Sequence, residues 1–529
     1  MDTLLQNATL VDGSGRPPYN ANLLISGARI QSILPAAPSD FAGRVIDCSG
    51  LLVTPGFIDG HSHNDWFALS DEQNRFFDPF ILQGITTFVA GNCGFSVSGY
   101  APSCGCTADI GAGLFHIDRE SAGHHSHSTW FDSIDRKCHV NMASLAGHGT
   151  ARIGVNGLKD TPLSAENRAR MLTELDEALQ RGACGVSLGL QYEPGIYAPY
   201  DELVEVAKLC VRHDKVLAVH ARAYSAVSPT YRSITRSHML LAMDEMDRLV
   251  RETGVRLQYS HLIFVGRRTW KDVDEALRII DRLREDGFDV SFDMFPLNYG
   301  ASIITVVLPD WYQAMSREQR RKPWNYLRLA AMVKVATRLL GFHLSDITIT
   351  YAGEGNDAYI GKNIPQIARE TGLSELDAYL HVCEISDFKA SVINSCYQND
   401  EIIRQLMASE HAMFMTDAWV ERSGKQNGAI YGAFPLFIEK ALAMGWPIER
   451  CVQRMTGFAA GRFRLEGRGL LQEGCFADLN VIDLQLIGSR IDSEQAPAGI
   501  LYTFINGQLE AQDGRRVHNP QPAGMAVRA

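Results

Sequence analysis

From Gly56 onward, short apolar runs alternate with longer stretches whose apolar residues recur every three or four positions. The runs are GFIDGHSH (56–63), GITTFVAGNC (84–93), HVNMASLAGH (139–148), GACGVSLGL (182–190), KVLAVHA (215–221), VRLQYSH (255–261), FDVSFDMF (288–295) and AMFMTD (412–417). The stretches between them, such as AENRARMLTELDEALQRG and WKDVDEALRIIDRLREDG, have the spacing of helices that bury one face. Eight strands with intervening helices predict a (β/α)8 barrel, whose chemistry sits where the strands end. Two further runs, ITITYAG (347–353) and ASVINS (390–395), lie in a long segment before the last strand. That segment also holds SREQRRKPWNYLRLA, read as a solvated helix rather than a lid.

The first fifty residues follow a different pattern. LLQNATLVDG, NLLISGARIQSIL and LLVTP are short β-type runs broken by Gly, Pro, Asn and Ser, the punctuation of a small antiparallel unit. Similar runs, LNVIDLQLI and LYTFINGQLE, return after Asp478, so the two ends are expected to pair into one small β-domain. The expected division is 1–54 and 466–529 for that domain and 55–465 for the barrel.

Composition narrows the classes. With 529 residues, 46% hydrophobic and 21% charged, the chain can bury a large core. A net charge of −11 argues against a nucleic-acid or anionic-lipid footprint and favours a small-molecule partner, leaving a homo-oligomer open. No run approaches the roughly 20 apolar residues of a membrane span, and MDTLLQNATLVDGSG lacks the basic-then-apolar order of a secretory signal. Eleven cysteines, an odd number without regular spacing, read as reduced thiols, so a cytoplasmic location is expected.

Candidate chemistry falls at the strand ends. His61 and His63 stand two apart, so both imidazoles point to one side and can share an ion. Cys93, His220, His261 and Asp417 end the second, fifth, sixth and eighth runs. Singly, each has a plainer reading: a buried small hydrophobe for Cys93, core histidines for His220 and His261, a helix cap for Asp417. Six metal-compatible groups meeting at one barrel mouth outweigh those readings.

Together, LLQNATLVDGSGRPP, TPGFIDGHSH, TTFVAGNCG, AGHGTAR, VHAR, QYSH, MTD, and YGAFP with downstream GCFADLNVID resemble the amidohydrolase superfamily. More narrowly they resemble its N-acyl-D-amino-acid deacylase (D-aminoacylase) branch, in order, from about residue 3 to residue 510. The resemblance implies an α/β fold: a distorted (β/α)8 TIM barrel with a small β-sandwich domain formed by both chain ends. It implies a metal-dependent hydrolase of C–N (amide) bonds, with Cys93, His220 and His261 holding a tight zinc and His61, His63 and Asp417 a second, weaker position. No lysine occurs between Lys159 and Lys208, so the carboxylated lysine of many superfamily relatives is absent and a cysteine-type site is consistent. Asp417 is then the catalytic group, taking a proton from water and passing it to the departing nitrogen.

Three positions depart from the family pattern. Ser-His-His-Lys reads Ser260, His261, Leu262, Ile263; His-Pro-Arg aligns with Asn427, Gly428, Ala429; and a tyrosine aligns with Phe295. Two cations and a hydroxyl that would hold a substrate carboxylate are lost, and a buried unpaired carboxylate is costly. A neutral or apolar amide is therefore expected, unless Arg222, Arg267, Arg268, Arg422 or Lys425 restores the charge. Arg152, Tyr192, Glu193 and Arg222 follow predicted strands and are candidates for the substrate pocket, with Ile263, Phe295 and Ala429. His124, His125 and His127, and nearby Cys104 and Cys106, are read as a surface loop. Two alternatives stay open: hydrolysis of a cyclic amide, and a metal-binding scaffold without catalysis.

Overall fold

The computed structural model describes residues 2–100, 126–233 and 235–529. All eight expected barrel strands form, all parallel to their neighbours. Phe57–Asp59, Ile85–Ala90 and Asn141–Ser144 make one ladder. Ala146–Gly147, Gly185–Gly189, Val216–His220, Arg256–Tyr259, Val290–Met294 and Ala412–Phe414 make the other. The third strand bends at Leu145 and serves both ladders. Between the eighth strand and the first, a side chain joins the edges: the Asp59 carboxylate accepts from the Thr416 backbone N–H (3.1 Å) and hydroxyl (2.5 Å). Beyond it the Asp417 N–H donates to the His61 carbonyl at 3.2 Å.

The helices obey their periodicity. Val273–Glu285 turns Val273, Ala276, Ile279, Ile280 and Leu283 inward and leaves its arginines in solvent. Ser164 caps Ala165–Gln180 by accepting from the Asn167 N–H.

Strands from both chain ends join in one nine-stranded sheet. Its hinge is Leu52–Pro55, which pairs antiparallel with Leu479–Ile482 and parallel with Thr9 and Leu10. Leu5, Leu23, Ile25, Val53, Leu479, Val481 and Phe504 from the two arms share one core. Since Leu52–Pro55 runs into the first barrel strand at Gly56, the sheet fixes where that strand begins.

The long segment before the eighth strand is an insertion with its own antiparallel sheet: Gly300–Ile303, Ser391–Asn394 and Ile347–Tyr351, in that order. The two surplus runs are thus its strands, not barrel strands. Around them pack helices including Pro323–Leu340 and Glu375–Ile385, with a core separate from the barrel's. The basic, tryptophan-bearing stretch becomes the helix Arg317–Arg320 and the start of Pro323–Leu340, where Trp324 is 76% exposed. Arg267 in the loop after the sixth barrel strand clamps Asp346 of the insertion through two bonds of 2.7 and 2.8 Å. No described helix is long and apolar enough to cross a membrane.

Candidate metal centre

The six predicted donors meet at the C-terminal mouth of the barrel. Cys93 Sγ lies 3.4 Å from His61 Nε2, 3.5 Å from His220 Nδ1 and 3.4 Å from His261 Nε2. Asp417 Oδ1 lies 3.5 Å from both His61 Nε2 and His63 Nε2. Two overlapping triads result, His61–Cys93–His261 and His61–His63–Asp417, each with donors close enough to share an ion. His220 adds a fourth donor to the first, its Nδ1 being 2.9 Å from His261 Nε2.

The backbone is bent to aim these groups. Cys93, His261 and Asp417 have φ of 54°, 29° and 49°, left-handed values that side-chain-bearing residues adopt at a cost of order 1–3 kcal/mol each. Each sits just past the end of its strand, where the chain turns and its side chain swings over the mouth. Gly189 makes room: a Cβ there would overlap the Cys93 carbonyl, so the glycine on the fourth strand lets the Cys93 loop lie against it.

A residue the sequence reading missed organises the set. Asp293, buried on the seventh strand, faces His61 Nδ1 at 3.1 Å, accepts from the His261 N–H at 2.5 Å and from Gln258 Nε2 at 3.0 Å. This carboxylate holds the His61 Nδ1 proton, leaving Nε2 free to face Cys93 and Asp417. Its signal was present in FDVSFDMF, where Asp293 is the one charge within the buried strand Val290–Met294. Asp59 was missed likewise; it supports the His61 N–H at 3.3 Å while bridging the barrel edge. Gln191 Oε1 meets His220 Nε2 at 3.1 Å, which orients Nδ1 toward the cluster.

Burial and mutual charge set the protonation states. Burial pushes His261 down to about 4, and burial with neighbouring His261 takes His220 well below the ordinary histidine range. Their rings stay neutral, with lone pairs available. His61 goes the other way: burial opposes its charge, but Asp293, Cys93 and Asp417 outweigh that and raise it. Burial pushes the Cys93 thiol up to about 11, so a cation is needed to hold the thiolate. Burial also works against ionised Asp417, yet His61 and His63 hold its carboxyl below the usual range.

The donor set fits zinc. Zinc bonds of about 2.3 Å to sulfur and about 2.0–2.1 Å to nitrogen give a tetrahedral sulfur–nitrogen edge of about 3.6 Å. The three edges from Cys93 are 3.4, 3.5 and 3.4 Å. The sulfur–nitrogen edges thus lie near those such an ion requires, while the His220–His261 edge of 2.9 Å is shorter than the nitrogen–nitrogen edge of about 3.3 Å that the same bonds give.

Tyr192 reaches the mouth, its ring 4.5 Å from that of His220. Arg152, Glu193 and Arg222 are engaged elsewhere. Arg152 is fully buried behind the third strand with two bonds to Glu202 (2.5 and 2.7 Å) and one to the Thr161 carbonyl (3.4 Å), and His148 shares the same carboxylate at 2.8 Å, so it is a core ion pair. Glu193 is exposed and accepts from Tyr197 at 2.5 Å. Arg222 is committed to Glu245 and to the carbonyls of Ile196 and Ala198. Ile263, Phe295 and Ala429 lie in the main apolar core. His127 is not a surface residue: it is buried between Ser98 Oγ (3.3 Å) and the Leu145 carbonyl (3.4 Å). His124, His125, Cys104 and Cys106 lie outside the described residues.

Beside the cluster opens a cavity between the insertion sheet and the loop after the eighth strand. Ala418, Trp419, Glu421, Lys425 and Asn427 line one wall, and Ser302, Thr350 and Val392 are among those lining the other. Trp419 stands edge-on to His63 with ring centres 5.6 Å apart, so the cavity adjoins the cluster.

Comparison with known proteins places the chain beside metal-dependent amide hydrolases. Residues 44–188 match the model of the amidohydrolase family. The chain is 29% identical over 516 residues to the D-aminoacylase of Alcaligenes xylosoxydans xylosoxydans, covering 96% of this chain and 93% of that protein. A D-aminoacylase structure determined to study its binuclear metal centre superposes with a TM-score of 0.80 at 26% identity, over 100% of this chain and 99% of the other. The N-acyl-D-glutamate deacylase of Bordetella bronchiseptica, solved with zinc and a phosphonate mimic of the tetrahedral intermediate, shares the fold with a TM-score of 0.80 at 24% identity, over 100% of both chains.

Proposed function

Because the chain belongs to the amidohydrolase superfamily, in its D-aminoacylase-like branch, we propose that it cleaves the amide bond of an N-acyl compound whose departing part carries no net charge. His61, His63, Cys93, His220, His261 and Asp417 would hold zinc, one ion tightly and a second more weakly. The observation that carries this reading is Cys93 Sγ set 3.4–3.5 Å from three imidazole nitrogens.

Zinc bound there supplies a water of pKa near ~7 and a Lewis acid for the scissile carbonyl. The chain's own residues do the rest. Asp417 is the most open member of the cluster, its side chain 24% exposed, and so meets what enters. Its carboxylate accepts the proton of the attacking water and returns it to the departing nitrogen. Asp293 fixes the His61 tautomer throughout. Tyr192, Tyr224 and Trp419 wall the mouth against bulk water, Tyr224 lying 4.9 Å from His220 and 5.1 Å from His261.

The neutral-substrate reading draws on Ile263, Phe295 and Ala429, none of which offers a charge or hydroxyl. Of the cations considered as substitutes, Arg222 is spent on Glu245 and Arg267 on Asp346. Lys425 does line the cavity, but shares it with the carboxyl of Glu421. All nine described cysteines are free, eight of them buried, which suits a cytoplasmic location.

Metal analysis combined with hydrolysis tests the reading. The purified protein is expected to carry zinc and to cleave N-acetyl-D-leucinamide faster than N-acetyl-D-leucine, with Cys93→Ser losing both zinc and activity. A metal-free protein active without zinc would overturn it, and faster cleavage of the free acid would return the chain to ordinary carboxylate recognition.

A further inference from the structure

The loop that supplies Glu421 and Lys425 is built rather than merely exposed. Gln426 closes it from within: its Oε1 accepts from the Glu421 N–H at 2.9 Å and its Nε2 donates to the Glu421 carbonyl at 3.1 Å. The Lys425 N–H then donates to the Thr350 carbonyl of the insertion at 2.8 Å, pinning the loop to the opposite wall. Gly424 permits this approach, with φ of 89° and a Cβ position that would overlap the Thr350 carbonyl. The carboxyl is aimed as well. Glu421 Oε1 accepts from Trp419 Nε1 at 2.9 Å, and the Trp419 ring abuts His63.

Two opposite charges therefore face one cavity within four residues, yet among the described residues neither forms an ion pair with the other or with a third group. The Gln426 turn and the Trp419 bond fix this loop on one wall of the cavity, so a group that enters meets a carboxyl and an ammonium on the same wall. Burial pushes Glu421 up to about 7, in keeping with a carboxyl drawn out of water toward a partner. A free carboxylate could meet Lys425 but would be repelled by ionised Glu421.

We propose that this cavity is the leaving-group subsite, and that Glu421 and Lys425 select a net-neutral polar head, donating to Glu421 and accepting from Lys425. A primary carboxamide and a zwitterionic amino acid share that chemistry. The inference rests on the amide-hydrolase reading and names the part of the substrate that reading leaves open.

The test compares kcat/KM of zinc-loaded wild type, Glu421→Gln and Lys425→Met on N-acetyl-D-leucinamide, N-acetyl-D-leucine and Nε-acetyl-D-lysine. Wild type is expected to favour a net-neutral head over the free acid, the leucinamide if a carboxamide is recognised and the acetyl-lysine if a zwitterion is. Glu421→Gln should lower that ratio by roughly tenfold or more, from loss of a charge-assisted bond together with relief of the acid. Lys425→Met should weaken both neutral heads, chiefly through KM. Ratios unmoved by both substitutions, in proteins that still hydrolyse, would overturn the subsite and leave the hydrolase intact. If no probe is cleaved, calorimetric binding of the same three intact N-acetyl probes decides: binding of a net-neutral head weakened by Glu421→Gln supports the subsite, and binding indifferent to it overturns the proposal.

Discussion

The barrel mouth and the insertion beside it treat polar and apolar groups in opposite ways. The mouth gathers buried histidines, a thiol and carboxylates, three of them on bent backbone, and supports His61 and His220 with further polar partners in Asp293, Asp59 and Gln191. The insertion packs an apolar core of its own and turns large apolar residues outward, with Trp324 76% and Leu327 60% exposed. Strain and buried charge persist only where surrounding structure enforces them, so the mouth is where small changes cost most. The insertion contributes a wall, and most of its surface is free to vary.

That contrast can be broken most decisively at the cluster. Removing zinc with a chelator, or replacing His61 by alanine, should abolish hydrolysis, and zinc should restore the chelated wild type but not the variant, as followed by activity and metal analysis. Arg152→Met should leave buried Glu202 with His148 and the more distant Arg168 (4.0 Å), and destabilise the fold by about 3–5 kcal/mol in denaturant melts, with kcat/KM of the folded fraction little changed. Loss of substrate affinity without loss of stability would instead return Arg152 to the pocket. Within the insertion, Leu329→Ala should cost about 2–5 kcal/mol because Leu329 is wholly buried, whereas Trp324→Ser should stay within about 0.5 kcal/mol. Asp293→Asn keeps the shape of the second-layer support but weakens its hold on His61, and should lower zinc affinity or activity by roughly 10–100-fold in metal titrations.

Acid sensitivity sharpens the comparison from outside the cluster. Burial holds His127 down to about 4, below its ordinary 6.5, so the unfolded chain binds the extra proton first. Its contribution is complete above about pH 6.5 and is lost as pH falls toward about 4. His127→Phe should flatten that part of the stability-against-pH curve, measured by urea unfolding across the window.

Much of the barrel was legible because parallel strands covered on both faces read as unbroken apolar runs. The clustering of all six candidate donors was legible for a related reason: a strand that ends in His, Cys or Asp advertises where its chain leaves the core. The insertion was not, since ITITYAG and ASVINS carry the same β-type pattern as barrel strands and nothing local reveals that they pair antiparallel. Arg152 misled because position after a strand cannot tell a side chain facing the mouth from one facing Glu202. Asp293 and Asp59 escaped because a partner's identity depends on which strands become neighbours. His127 was hidden by a Ser- and Gly-rich setting that resembles surface loop, although its ring is buried.

The ladder between Leu52–Pro55 and Leu479–Ile482 has a consequence in time. A chain emerging from the ribosome exposes Leu52–Pro55 early, and the antiparallel partner of that strand is made more than four hundred residues later. Non-local pairings of this kind form slowly, and unpaired edges invite aggregation meanwhile. The nine-stranded sheet is thus a late seal, closing after every barrel strand has been synthesised.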